Sequence, residues 1–200
     1  CAAAILIKYF SFLGMPARPY IPSRQTEGYG LNRAALEQLA EDGVALVITV
    51  DNGISAVDEA EYAAELGLSL VITDHHQPGE QLPRAEAVVD AYRADSTPPY
   101  RDYCGAGVAY QLVRACSERF ADVALPASLK RELTALAALA TVGDVVPLTR
   151  ENRTLVTSGL KLFGTPVSPG LDALLSVCGL KRISAQSIAF GPVPRLNAAG

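Results

Sequence analysis

The apolar positions of this chain change period along its length. Between residues 45 and 73 they form two short runs, Ala45 to Val50 and Leu68 to Thr73, with Ala, Val and Leu at helical spacing from Ser55 until Gly67 stops them. Short apolar, β-branched runs read as buried strands, and the stretch between them reads as a helix. Strand, helix, strand is a βαβ unit with parallel strands and a right-handed crossover. Elsewhere the stripes predict helices over Ala2 to Phe12, ending at Gly14, and over Arg33 to Glu41 with Asn32 as cap. Further helices are expected from Cys104-Gly105-Ala106-Gly107 to about Phe120, and over Leu129 to Thr141, Asn152 to Phe163 and Leu171 to Val177. Pro19 to Pro22 and Ala87 to Val89 read as short strands, Glu27 to Leu31 and Arg93 to Tyr103 as loops, and Arg195-Leu196-Asn197 as a polar turn. The expected fold class is α/β, a parallel sheet flanked by helices that becomes mostly helical in the C-terminal third. The α/β core is expected over 1–146 and a helical extension over 147–200.

The two strands of the βαβ unit are near copies. Leu46-Val47-Ile48-Thr49-Val50-Asp51 matches Leu70-Val71-Ile72-Thr73-Asp74 except for one inserted valine. The repeat places Asp51 and Asp74-His75-His76 at the carboxyl ends of neighbouring strands, the edge at which ligands bind in open α/β sheets. His75 and His76 are the only histidines of the chain. Carboxylates with an imidazole suit Mn²⁺, Mg²⁺ or Fe²⁺, whereas Zn²⁺ sites more often carry more His or Cys. Asp144, between a buried helix and the apolar Val145-Val146-Pro147-Leu148, is the best third ligand, because a carboxylate in apolar surroundings is costly unless paired or ligating. Each residue also has a plainer reading. Asp144 can cap a turn, Asp51-Asn52-Gly53 is a good turn sequence, and the two histidines can sit on a surface loop.

Composition narrows the classes. Half of the 200 residues are hydrophobic, and the net charge of −4 argues against a broad basic nucleic-acid surface. A local cationic or metal site for phosphate stays open, since a bound metal reverses the local charge. Cys1, Cys104, Cys116 and Cys178 show no C-x-x-C pair, which fits a reducing cytoplasm better than a disulfide framework. No apolar run approaches the roughly 20 residues of a membrane span. The chain opens at Cys1 inside an expected helix, without a start Met, and reads as an internal piece of a longer protein.

The triplet Asp74-His75-His76 names the DHH phosphoesterase superfamily, and six ordered segments resemble its RecJ branch, the 5′→3′ single-strand-specific DNA exonucleases. They are Glu27-Gly28-Tyr29-Gly30-Leu31, Val50-Asp51-Asn52-Gly53, Thr73-Asp74-His75-His76, Gly105-Ala106-Gly107-Val108-Ala109, Gly143-Asp144-Val145-Val146-Pro147-Leu148 and Pro194-Arg195-Leu196-Asn197-Ala198-Ala199-Gly200. The resemblance implies two-metal phosphodiester hydrolysis with Mn²⁺ or Mg²⁺, in DNA repair and recombination. By it, Asp51 bridges two ions and His75 and Asp144 complete one of them. Asp74 stands behind the metal and fixes a histidine ring. His76 faces the scissile phosphate, which makes Asp51, His75, His76 and Asp144 the catalytic set. Arg195 and Asn197 grip DNA phosphates. Gly105 and Gly107 offer backbone N–H groups at a helix N-terminus, although a tight loop-to-helix turn explains those glycines equally well. Implied partners are single-stranded DNA, single-strand-binding protein and replication or repair factors, with no membrane.

Two departures stand out. The family's Asp-x-Asp-Gly motif before the first helix is absent, as are the DHHA1-like and OB-type domains beyond Gly200. The isolated chain is therefore expected to be inactive and to bind Mn²⁺ weakly. Val89-Asp90-Ala91-Tyr92 stands where RecJ-like chains tend to carry Asn-Pro. Two other readings stay open: another DHH phosphodiesterase acting on short oligonucleotides, cyclic dinucleotides or pyrophosphate, and a catalytically dead scaffold that binds DNA or replication partners. A nucleotide-binding α/β domain ranks lower, for want of a G-x-G-x-x-G after a first strand.

Overall fold

The computed structural model describes residues 1–23, 28, 30–120 and 124–198. Along the chain these form α1 (Ala2–Phe12), α2 (Arg33–Glu41), β1 (Leu46–Val50), α3 (Val57–Glu65), β2 (Ser69–Thr73), β3 (Ala87–Val89), α4 (Gly105–Arg119), α5 (Ala127–Gly143), α6 (Arg150–Leu162), α7 (Pro169–Cys178), α8 (Ala185–Phe190) and α9 (Pro192–Ala198). They fall into two compact units. One is Arg18–Arg101, and the other joins Cys1–Ala17 to Asp102–Gly200.

The unit Arg18–Arg101 is the α/β part. Its sheet has the order β1-β2-β3, with both pairs parallel. Asn32 caps α2 as its sequence position predicts, its Oδ1 accepting from Ala35 N at 2.8 Å. Ala60, Leu70 and Ile72 form one buried cluster, and Leu36, Ala63 and Leu68 another. Val47 and Leu31 pack against both, joining the helices to the face of the sheet. Full burial of a side chain such as Ile72 or Leu36 contributes about 1.5–3 kcal/mol. This core fixes the register of β1 against β2, because a one-residue slip would turn the apolar set of a strand to its other face.

The second unit is helical. Helix α1 packs on α4 and α5, and α5 packs along α6. The α5–α6 approach depends on Gly159, since a Cβ there would lie 2.2 Å from the Cβ of Ala138. Lys8 Nζ meets Glu132 Oε1 at 2.9 Å. Asn152, fully buried, donates from Nδ2 to the carbonyls of Asp102 (2.6 Å) and Pro147 (3.0 Å), tying down the loop that follows α5.

Two local expectations fail. Pro19 to Pro22 forms no strand, as befits a segment with a proline at each end and hence two missing N–H donors. Arg195-Leu196-Asn197 lies within helix α9 rather than in a turn, and α8 precedes it. Helix α8 starts at a capping box in which Ser184 and Ser187 satisfy each other's backbone N–H groups. Pro192 and Pro194 fall in the first turn of α9, where a missing N–H costs nothing. Among the described residues no helix is long and apolar enough to cross a membrane.

Candidate metal centre at the strand ends

Each strand of the sheet ends immediately before an aspartate. Val50 pairs with Thr73 and Thr73 with Val89, so Asp51, Asp74 and Asp90 come level, one residue beyond the ladder. Backbone bonds from Asp51 N to Thr73 O (3.0 Å) and from Asp74 N to Val89 O (3.1 Å) carry the ladder one step further and hold this row. The valine inserted in the first of the two near-identical strands has a structural meaning. The ladder pairs Val47 with Leu70, one residue out of step with the repeat, and Val50 restores the alignment at the acidic end.

The turn after β1 is strained in a way that serves the row. Asp51 has φ +67° and Gly53 φ +107°. The left-handed region is uncommon for residues with a side chain, and aspartate is among those that tolerate it. At Gly53 a Cβ would stand 2.9 Å from Thr49 Oγ1, so glycine is required there. Asn52 Nδ2 donates to Val50 O at 3.0 Å and closes the turn. The result delivers Ile54 N to Asp74 Oδ2 at 3.0 Å.

Asp74 is buried, at 1% exposure, yet fully engaged. Its Oδ2 takes the Ile54 N–H, and its Oδ1 accepts from His75 N (2.7 Å), His76 N (3.3 Å) and His76 Nδ1 (2.6 Å). A proton on His76 Nδ1 that points at Asp74 fixes the ring and leaves Nε2 outward. Nε2 is then a ligand when the ring is neutral and an N–H donor when the ring is cationic. His75 turns the other way, with Nε2 at 2.9 Å from Oδ1 of the half-exposed Asp51. The two imidazoles lie 4.4 Å apart between centroids, tilted by 47°. One ligand atom from each of Asp51, Asp74, His75 and His76 lies within 4.8 Å of the other three. This compact set of hard carboxylate oxygens and borderline imidazole nitrogens matches the donor preference of Mn²⁺ and Mg²⁺.

Asp90 is the member of the row that the sequence presents only as a departure from the family pattern. It is buried, at 5% exposure. Oδ1 accepts from Tyr92 N at 2.7 Å, while Oδ2 has no hydrogen-bond partner among the described residues. Burial pushes its carboxyl up from the usual carboxylate range, and the negative charge of Asp74 adds to this. The Tyr92 N–H and the two histidines act in the opposite direction. The pattern of an aspartate directly after every strand was available in the sequence.

The remaining candidates lie in the helical unit. Asp144 is the C-cap of α5, its N–H bonded to Ala140 O at 2.8 Å. It is exposed, so the burial cost argued from its apolar neighbours does not apply. Val145 beside it has φ +60°, a strained value for a β-branched residue. Gly105 and Gly107 are buried in the first turn of α4. Gly107 N donates to Cys104 Sγ at 3.3 Å, and a Cβ at Gly107 would lie 3.1 Å from the Tyr103 ring. Arg195 and Asn197 are exposed on α9, Arg195 Nη1 donating to Gly191 O at 2.9 Å. Of the motif segments, Glu27, Tyr29, Ala199 and Gly200 lie outside the described residues.

Comparisons with known proteins converge on one family. The model of the DHH family, N-terminal domain, matches residues 1–141. The chain is 42% identical over 183 residues to the single-stranded-DNA-specific exonuclease RecJ of Bacillus subtilis, covering 90% of this chain and 22% of that protein. It is 38% identical over 191 residues to RecJ of Escherichia coli, covering 90% of this chain and 33% of that protein. A crystal structure of exonuclease RecJ bound to manganese superposes with a TM-score of 0.86 at 36% identity, over 99% of this chain and 49% of that one. RecJ of Thermus thermophilus in complex with Mn²⁺ gives a TM-score of 0.82 at 33% identity, over 99% of this chain and 28% of that one. The chain thus spans between 22% and 34% of the length of the curated relatives it matches. A parallel sheet ending in Asp51 and Asp74-His75-His76, and a family model matching most of the residues, make this chain a member of the DHH family.

Proposed function

We propose that this chain is the part of a metal-dependent phosphodiesterase, degrading single-stranded DNA from the 5′ end, that carries one side of its metal centre, and that the isolated chain is inactive. The observation that carries this reading is the convergence of Asp51, Asp74, His75 and His76 ligand atoms within 4.8 Å at one sheet edge. The similarity to RecJ proteins bound to manganese or magnesium supports the same choice of ion. Asp51 and His75 would hold the cation, and the family resemblance adds Asp144 as a further ligand. A divalent ion in such a site polarises the phosphoryl group and lowers the pKa of the attacking water.

The chain's own residues divide the rest of the work. Asp74 holds His76 by its Nδ1–H, so Nε2 faces outward to donate a proton or a hydrogen bond to the phosphate. The engaged Asp74 keeps that orientation without a rearrangement when substrate arrives. Arg195 and Asn197, exposed on α9, supply contacts to the DNA backbone; the family resemblance adds the first turn of α4 at Gly105 and Gly107, although the buried Gly107 N–H is already donated to Cys104 Sγ. Single-strand-binding protein and replication or repair factors are the proposed protein partners. A cytoplasmic location is proposed from the four free cysteines.

The test uses a single-stranded oligonucleotide labelled at either end, with Mn²⁺. With the chain inside its full-length protein we expect mononucleotide release from the 5′ end and a loss of roughly 10²- to 10⁴-fold in His76→Ala, whereas the isolated chain should release none. Cleavage of dinucleotides or cyclic dinucleotides with intact long strands would replace this reading by that of another DHH phosphodiesterase.

A further inference from the structure

Asp90 is a buried carboxylate with one oxygen unused. Its Oδ1 accepts from Tyr92 N–H at 2.7 Å, and among the described residues Oδ2 accepts from nothing. Leaving Oδ2 unpartnered is costly in a dry site. The attraction of Arg93 offsets part of this cost, yet it gives Oδ2 no hydrogen bond, and an asparagine would keep the Tyr92 bond and remove the charge. Three facts locate its use. The register puts Asp90 level with Asp74 and, through it, with Asp51. The bond from Asp74 N to Val89 O locks β3 to β2 one residue before Asp90. The charges that act on Asp90 include those of Asp74, His75 and His76, the members of the cation site, together with the guanidinium of Arg93.

We infer that Asp90 is a positioning residue of the metal centre: its free carboxylate oxygen is an acceptor held ready for the loaded state, and its charge forms part of what balances the bound cation. The inference rests on the metal-site reading given above and extends it to the third strand. Asp74 has spent both oxygens on Ile54, His75 and His76 and acts by orienting rings. Asp51 faces His75 and solvent. Asp90 supplies the remaining negative charge from the buried side.

The test compares the full chain with Asp90→Asn, Asp90→Ser and Asp51→Asn. Mn²⁺ binding is measured by EPR titration of the free ion, and thermal unfolding is followed in EDTA. Asparagine and serine both retain an acceptor for Tyr92 N–H. The expected result is a Mn²⁺ affinity roughly ten- to a hundredfold weaker in both Asp90 variants, the size expected for removing one charge from the vicinity of a divalent ion in a partly buried site. Metal-free melting temperature should be unchanged or raised. A purely structural aspartate would give the reverse pattern, with lower melting temperature and unchanged Mn²⁺ affinity, and that result would overturn the inference. Failure of both Asp90 variants to fold would also overturn it, because a charge needed by the metal-free fold is not reserved for the loaded state. Weakened binding in Asp51→Asn with wild-type binding in Asp90→Asn would remove Asp90 alone. Wild-type binding in all the variants would remove the metal-site reading itself.

Discussion

Asp74→Asn is the substitution whose effect follows most fully from the geometry. The carboxylate accepts four hydrogen bonds, from Ile54 N (3.0 Å), His75 N (2.7 Å), His76 N (3.3 Å) and His76 Nδ1 (2.6 Å). The amide oxygen of asparagine can replace Oδ1 and keep the three donors of the histidine pair. Its NH₂ group then faces the Ile54 N–H, donor against donor. A buried N–H left unsatisfied costs about 1–3 kcal/mol, and hydrogen bonds to a charged acceptor exceed neutral ones by about 1 kcal/mol each. The expected loss for Asp74→Asn is therefore about 4–6 kcal/mol. Asp74→Ala would leave all four donors without their acceptor and approach the whole stability of a domain, about 5–15 kcal/mol, so asparagine is the informative replacement. Asp51→Asn provides the contrast. Its carboxylate is half exposed and pairs with His75 across 2.9 Å, and such a pair contributes at most about 1 kcal/mol. Urea unfolding of the metal-free proteins, with midpoint and slope fitted together, gives both values. A loss below about 1 kcal/mol for Asp74→Asn, or a loss no larger than that of Asp51→Asn, would refute the view that Asp74 is the structural anchor of the site.

Three further outcomes follow from separate parts of the molecule. Gly159→Ala should destabilise the helical unit by about 1–3 kcal/mol or more, as overpacking does, because the new Cβ would meet Ala138 Cβ at 2.2 Å; a melting temperature equal to wild type would show that the α5–α6 crossing is not close-packed there. Asp90 titrates above the ordinary carboxylate range in the folded protein, so its stabilising contribution is complete below the unfolded value of about 3.9 and is lost as pH rises through the raised folded value. The stability difference between Asp90→Asn and wild type should accordingly grow in favour of asparagine as pH rises from about 4, and a difference independent of pH would contradict this. Cys104, 1% exposed and with its thiol pushed up by burial, should react with a thiol reagent only on unfolding while the exposed Cys1 reacts at once; equal native rates at the two positions would contradict the burial.

The sheet was legible in the sequence because its strands announce themselves locally. Leu-Val-Ile-Thr occurs twice with a helical stretch between, and the parallel pairing follows from the connection. Asp51 and Asp74-His75-His76 were legible for the same reason, as strand-end residues of that unit. Asp90 does not stand out in the same way, because β3 has only three residues and carries no periodic signal of its own. The role of Asp90 emerges only when the register aligns Val89 with Thr73. Asp144 is exposed for a reason of another kind. Val145 and Leu148 are apolar yet 87% and 40% exposed, so an apolar neighbourhood in sequence is not one in space. Helices α8 and α9 escape a periodicity reading because they are short, and their starts depend on a serine–serine capping box and on prolines placed in a first turn.

The central claim is that the row of strand-end residues binds a divalent cation. Mn²⁺ titration of wild type against His75→Ala, followed by EPR of the free ion, tests it most directly. The account predicts saturable binding in wild type and an affinity lower by roughly tenfold or more when the imidazole that faces Asp51 is removed. Equal Mn²⁺ uptake by the two folded proteins, or none by either, would contradict it.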